Sequence, residues 1–134
     1  ELAHEELTHF TQVFALMTER GLGFRKDERD PYIRGLLPLV RGPRDDRFMD
    51  RMLVFGIVEA RGCERFGLVA EGLPDGDMKD FYQDLTRAEA RHHGLFVRLA
   101  KTYFPHEQVR ERLNTLLEAE GKLVASLASR AALH

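Results

Sequence analysis

The chain has 134 residues, of which 43% are hydrophobic and 31% are charged, and its formal net charge is −2. This length and balance are ordinary for one globular domain, so they exclude intrinsic disorder as the main state and predict a single domain over residues 1–134. No apolar run is long enough to span a membrane and no secretory leader is visible, which predicts a soluble protein without membrane contact. A single cysteine, Cys63, cannot form an internal disulfide, and this favours the cytoplasm.

The first half of the chain predicts one long helix, a polar connector and a short helix. Apolar residues recur at steps of three and four from the first residues onward, which predicts a helix. We expect this helix to end near Gly21, because glycine readily adopts the left-handed conformation that ends many helices. The connector covers residues 22–31, and the short helix covers 32–40 with a kink near Pro38. Because the chain begins without Met and already in helical pattern, we expect it to be an N-terminally truncated piece.

The second half predicts three further helices. The longest apolar stretch gives a helix over 46–71, which the turn at 73–77 ends. We expect Asp77 to cap the next helix, which ends at Pro105, and a last helix to cover 107–133. No strand pattern occurs, so the sequence predicts an all-α fold, an antiparallel helical bundle.

Two Glu-x-x-His pairs interrupt the apolar faces of these helices. Glu6 and His9 lie on the stripe of the first helix, and Glu89 and His92 repeat the arrangement in the helix after the turn. Residues three apart on a helix point the same way, so each pair can share one metal ion. A buried carboxylate is costly unless it is paired or metal-bound, and we therefore interpret both pairs as iron ligands. The alternative is a surface glutamate beside a hydrogen-bonded core histidine.

A lone glutamate in the long apolar helix, Glu59, completes the pattern. It lies about as far before the turn near residue 75 as Glu89 lies after it, so an antiparallel helix pair would bring the two carboxylates to one level. Glu64 competes with it on the same helix, but its arginine neighbours favour a surface role. The combination is typical of ferritin-like iron-carboxylate bundles. The predicted metal ligands are Glu6, His9, Glu59, Glu89 and His92.

Three segments carry a resemblance that extends beyond this ligand pattern. They are HEELTHFTQVFALM at 4–17, VEARGCERFGLVAE at 58–71 and AEARHHGLFVRLAKTYF at 88–104. Together they resemble the tRNA hydroxylase family that acts on 2-methylthio-N6-isopentenyladenosine beside the anticodon. The resemblance covers almost the whole chain, and it implies a ferritin-like antiparallel four-helix bundle that carries the same five ligands.

The activity that this resemblance implies is an oxygen-dependent di-iron monooxygenase. Such an enzyme would hydroxylate the isopentenyl group of its tRNA substrate with two iron ions, dioxygen and an external electron donor such as a ferredoxin-type protein. Family members also have an upstream helix that supplies one more carboxylate, and we expect this chain to lack that N-terminal helix. Apolar side chains would keep water from the irons and hold a prenyl group, namely Phe10, Phe55, Phe66 and Phe96.

Two other classes of function share part of this pattern. A rubrerythrin-like di-iron peroxidase or iron-handling protein would use the same ligands without affinity for tRNA. A metal-free helical interaction module would leave five buried polar groups without partners, which folded proteins avoid.

Any contact with tRNA must be local, because a net charge of −2 excludes a uniformly basic surface. Arginine suits this contact, since its planar fork pairs with phosphates and stacks on unpaired bases. Basic residues are frequent in and after the connector that follows the first helix. The predicted tRNA-binding residues are Arg25, Lys26, Arg29, Arg34 and Arg41.

Overall fold

A computed structural model describes residues 2–24, 26 and 28–128. In these residues the chain forms helices and no strand, so the predicted all-α class is confirmed. None of the described helices is long and apolar enough to cross a membrane. The elements are α1 (Leu2–Glu19), α2 (Pro31–Leu36), a 3-10 helix (Leu37–Leu39), α3 (Arg44–Gly72), α4 (Asp77–Tyr103) and α5 (His106–Ser126).

The end of α1 follows the prediction at Gly21. Gly21 has a φ of 65°, a left-handed conformation that costs little without a Cβ atom. Its N–H donates to Thr18 O at 3.0 Å, and the Leu22 N–H reaches back to Met17 O at 2.9 Å. These two bonds satisfy carbonyls that the helix end would otherwise leave free.

The antiparallel pair of α3 and α4 forms the centre of the molecule, and a short turn joins the two helices. The prediction that Asp77 caps α4 is wrong, because Asp77 is already helical and Gly76 occupies the cap position with a φ of 147°. Asp77 still lies in the first turn, where a carboxylate interacts favourably with the helix dipole. The predicted last helix is observed as α5 only to Ser126, and residues 129–134 lie outside the described chain.

The main core lies between α2, α3, α5 and the C-terminal half of α4. Its largest fully buried apolar side chains include Tyr32, Leu36, Met49, Leu53 and Leu116. This core is on one side of the α3–α4 pair. It leaves the opposite side for α1.

Two buried ion networks cross this core, and the sequence did not predict either. Asp50 is fully buried and binds the Arg41 guanidinium at 2.8 and 3.0 Å and the Arg112 guanidinium at 2.8 and 2.9 Å. Burial alone would raise the pKa of Asp50, but the hydrogen bonds from the two arginines hold it well below its ordinary value. Glu120 is buried in the same way, between Arg61 and the hydroxyl of Tyr32.

Helix α1 lies against α4 and runs antiparallel to it. Glu5, near its start, is 3.1 Å from His92, whereas Met17, near its end, lines a cavity together with Met78. None of the residues of α1 is fully buried, so its apolar stripe is more open than the sequence predicts.

Candidate metal centre

Three helices bring together the five side chains that the sequence predicts as metal ligands. The Nδ1 atom of His92 lies 3.0 Å from Glu6 Oε1, 3.3 Å from Glu89 Oε2 and 4.0 Å from Glu59 Oε2. The ring centroids of His9 and His92 are 6.1 Å apart. Helix α1 therefore contributes Glu6 and His9, α3 contributes Glu59, and α4 contributes Glu89 and His92.

Part of this cluster has the spacing of a cation site. One ligand atom each from Glu6, Glu89 and His92 lie within 4.8 Å of one another. Carboxylate oxygen and imidazole nitrogen are donors that suit iron and related divalent metals. The cluster is therefore consistent with a metal site.

The Glu89 side chain passes beside Gly62 of α3. Gly62 is buried, and a Cβ atom at this position would lie 3.6 Å from Glu89 Cγ and 3.7 Å from Phe66 Cε2. These are ordinary van der Waals distances, so an alanine would fit between the two neighbours. Glu89 therefore packs against α3 one turn from Glu59.

The facing carboxylates of Glu59 and Glu89 repel each other when both are charged. Burial, followed by the hydrogen bond and the charge of Glu89, raises the pKa of Glu59 to about 8. Burial also raises the pKa of Glu89. Two carboxylates in one partly desolvated site are stable together when they share a proton or when a cation lies between them.

Within the described chain, His9 of α1 has a ring nitrogen without a partner, which points to the same conclusion. His9 Nδ1 is buried and has no hydrogen-bond partner among the described residues. The nearest carboxylate oxygen, Glu6 Oε2, is 3.7 Å away, too far for a hydrogen bond. Buried polar atoms in folded proteins are normally paired, so an unpaired ring nitrogen close to the Glu6 carboxylate fits a metal ligand.

A sixth polar residue, Glu5, was not predicted. Its Oε2 atom lies 3.1 Å from His92 Nε2, and the hydrogen bond with His92 lowers the pKa of Glu5. The other ring nitrogen, Nδ1, faces Glu6 and Glu89 at 3.0 and 3.3 Å, so a metal bound at Nδ1 would leave the Nε2 contact with Glu5 intact. Such partners commonly orient a metal-binding imidazole. Only the placement of Glu5 directly before Glu6 hinted at this role.

Comparison with known proteins identifies the family. A family model described as tRNA-(MS[2]IO[6]A)-hydroxylase (MiaE) matches residues 1–134. The chain belongs to this hydroxylase family.

Two curated hydroxylases of the family are similar to the chain. It is 35% identical over 125 residues to the tRNA 2-(methylsulfanyl)-N(6)-isopentenyladenosine(37) hydroxylase of Pseudomonas putida. It is also 35% identical over 125 residues to the protein of the same name from Salmonella typhimurium. Both matches cover 93% of this chain, which spans 60% of the length of the first protein and 46% of the second.

A solved structure shows the same fold. "Protein 43 with aldehyde deformylating oxygenase activity from Synechococcus" matches the chain with a TM-score of 0.89 and 40% identity. The match covers 96% of this chain and 64% of that protein. This similarity confirms the predicted ferritin-like helical fold.

Two further polar side chains of α3, Glu64 and Cys63, are close to the cluster in sequence but are not part of it. The side chain of Glu64 is 54% exposed and pairs with Arg61 at 2.6 Å, as a surface residue would. Cys63 Sγ donates to Thr86 O at 3.5 Å, and burial raises the pKa of its thiol. Cys63 is therefore a packed, unreactive side chain rather than a nucleophile.

The expected phenylalanine shell forms only in part. Phe66 and Phe96 are partly buried, but Phe10 and Phe55 are 57% and 51% exposed, so the prediction that these two exclude water is wrong for the described chain. Phe10 lies on the outer side of α1, where its ring stacks on Phe14. Phe55 packs against Phe96 beyond the start of α1, where no described helix covers it.

The predicted tRNA-binding residues differ in their surroundings. Lys26, Arg29 and Arg34 are exposed, and no ion pair involves them within the described residues. Arg25 lies outside the described chain. Arg41 is a poor candidate, because its guanidinium already binds Asp50 and lies 3.1 Å from Asp46.

Proposed function

We propose that this chain carries the di-iron centre of an oxygen-dependent hydroxylase that acts on the isopentenyl group of 2-methylthio-N6-isopentenyladenosine in tRNA. The observation that carries the proposal is the convergence of both Glu-x-x-His pairs and Glu59 on one cluster. Membership of the tRNA hydroxylase family and the names of the two curated relatives support the substrate. A substrate in tRNA also favours the cytoplasm as the location.

The residues present fit two iron ions. Glu6 and His9 would hold one iron, Glu89 and His92 would hold the other, and Glu59 would add a third carboxylate. Bound iron supplies the capacity to reduce dioxygen and to oxidise a C–H bond, with electrons from an external donor such as a ferredoxin-type protein.

The protein's own contribution is to orient these ligands before a metal arrives. Glu5 lies 3.1 Å from His92 Nε2, where it would accept the Nε2 proton once a metal occupies Nδ1. The raised pKa of Glu59 reflects its burial and, after that, the carboxylate of Glu89 that faces it. Metal binding would offset the burial and the repulsion, because it releases the shared proton and pairs both charges.

The experiment that tests the proposal is mass spectrometry of tRNA nucleosides from cells that lack the gene. Complementation with the intact gene should restore the hydroxylated nucleoside. Glu64→Ala should restore it too, because Glu64 is exposed, whereas Glu59→Ala should restore little or none. Full restoration by Glu59→Ala, or no product with the intact gene, would refute the proposal.

A second candidate function is oxygenation of an aliphatic aldehyde. It is favoured by the 40% identity to the Synechococcus protein, whose reported activity is aldehyde deformylation. Both functions would use the same ligands, so the substrate distinguishes them. Purified protein that converts a long-chain aldehyde but leaves the tRNA nucleoside unchanged would establish the second. The match to the tRNA hydroxylase family over residues 1–134 favours the first, and it likewise favours it over a rubrerythrin-like peroxidase.

A further inference from the structure

An apolar cavity of about 350 Å³ lies between α1, α3 and α4, on the side of the ligand cluster that faces the α3–α4 turn. Of the four phenylalanines that the sequence predicts around a prenyl group, only Phe66 lines this cavity. Its lining is almost wholly apolar, with one basic residue, Arg20. Its main apolar side chains are Val13, Met17, Phe66, Met78, Phe81 and Leu85.

The near end of the cavity adjoins the ligand cluster. Val13 follows His9 by one helical turn, and Leu85 precedes Glu89 by one turn, so both lie on the ligand-bearing faces of their helices. Phe66 provides the closest connection. Its Cε2 atom lies 3.7 Å, and Glu89 Cγ lies 3.6 Å, from the position that a Cβ atom of residue 62 would occupy. A group in the cavity would therefore have one end beside the carboxylates.

We propose that this cavity binds the branched five-carbon isopentenyl group of the modified adenosine, an inference that rests on the proposed function. The size is suitable, since an apolar cavity of about 150 Å³ already holds a benzene molecule. An isopentenyl group has no polar atom that would need a partner inside an apolar cavity. An isopentenyl group in this cavity would have one end of its alkyl chain beside the ligand cluster, and the adenine would lie at the opening of the cavity.

The charges around the cavity agree with an RNA-borne ligand. Arg20 lies at its lining and is exposed, with one guanidinium nitrogen 3.1 Å from Leu16 O. The exposed Lys26 and Arg29 follow in the connector that starts beside the cavity. Phosphates attract such side chains, whereas a free aldehyde offers no charge for them.

The four methionines of the chain allow a direct binding test that does not depend on activity. Met17 and Met78 line the cavity, whereas Met49 and Met52 are buried in the core on the other side of α3. Protein labelled with ¹³C at the methionine methyl groups should give one signal from each, assigned through Met→Leu variants. The nucleoside N6-isopentenyladenosine should shift the Met17 and Met78 signals and leave the other two in place, and adenosine should shift none.

A matched pair of variants tests the cavity itself. Val13→Trp places a large ring in its near end and should weaken binding of the nucleoside by about tenfold or more. Ala15→Trp adds a larger volume on the exposed, opposite side of α1 and should leave binding unchanged. Both variants should retain the iron content of the unmodified protein.

The outcomes separate this inference from the proposed function. Unshifted Met17 and Met78 signals, or equal shifts with adenosine, would overturn the inference, as would a shift with decanal and none with the nucleoside. If cells still make the hydroxylated nucleoside in those cases, the proposed function holds and the alkyl group binds elsewhere. Selective shifts in a protein that produces no hydroxylated nucleoside would support the cavity and refute the function.

Discussion

Burial of Glu59 opposite the carboxylate of Glu89 makes the metal-free protein less stable as the pH rises, and Glu59→Gln should remove this loss. The pKa of Glu59 is raised to about 8, above its ordinary value of 4.5. Between these pH values the unfolded chain loses its proton while the folded protein keeps it, so the free energy of unfolding falls as the pH rises. Below about 4.5 both states are protonated and no cost remains.

The size of the effect follows from the same pKa. A rise from 4.5 to about 8 corresponds to at most about 5 kcal/mol of stability lost by pH 8. The Glu59 side chain is 20% exposed, and solvent screens part of the repulsion. We therefore expect Glu59→Gln to be more stable than the unmodified protein by about 2 to 3 kcal/mol at pH 8, with the difference vanishing near pH 4.5.

The assay is urea unfolding of chelator-treated protein, followed by circular dichroism at pH 5 and pH 8. Glu64→Gln, on the exposed side of the same helix, is the control and should change stability by less than about 0.5 kcal/mol at either pH. Iron should abolish the advantage of Glu59→Gln, because a bound cation pairs the charges that the variant lacks. Equal stability of Glu59→Gln and the unmodified protein at pH 8, or a loss on substitution, would refute the reasoning.

Two further predictions concern the buried ion network and the connector. Asp50→Asn should cost about 2 to 4 kcal/mol in urea unfolding, because it removes the buried charge that pairs two partly buried guanidinium groups, while Asp84→Asn in an exposed pair should cost less than about 1 kcal/mol. Equal losses would show that burial does not govern this pair. The double variant Arg29→Glu/Arg34→Glu should raise the KM for tRNA, more so at low salt, and leave the iron content unchanged. The control is Arg110→Glu, which changes an exposed residue of α5. Unchanged tRNA kinetics in the double variant would exclude the connector from the interface.

Local patterns predicted the helices and the ligand cluster because both depend on short-range spacing. The steps of three and four residues place Glu6 with His9 and Glu89 with His92 whatever the tertiary structure. The level of Glu59 also followed from a short turn between two straight helices. In each case the relevant distance is counted along one helix or across one hairpin.

Features that depend on helix rotation or on distant partners could not be predicted in this way. Glu5 and Glu6 are adjacent, and only the packing of α1 on α4 shows that Glu5 contacts Nε2 of His92 and Glu6 faces Nδ1. The sequence alone would predict a solvated side chain for Asp50, since its partner Arg112 lies on another helix, α5. It would likewise predict a free basic side chain for Arg41, since its partner Asp50 lies on α3. A carboxylate and a guanidinium far apart in sequence give no periodic signal.

The most direct test of the central claim is oxygen labelling of the product. Iron-loaded protein, an electron donor and tRNA that carries 2-methylthio-N6-isopentenyladenosine are incubated under ¹⁸O₂, and the digested nucleosides are analysed by mass spectrometry. The account predicts that the new hydroxyl group carries ¹⁸O with the unmodified protein and that His92→Ala, which removes one of the proposed ligands, gives no labelled product. A hydroxyl group that takes its oxygen from water, or undiminished labelling with His92→Ala, would contradict the claim that this cluster activates dioxygen.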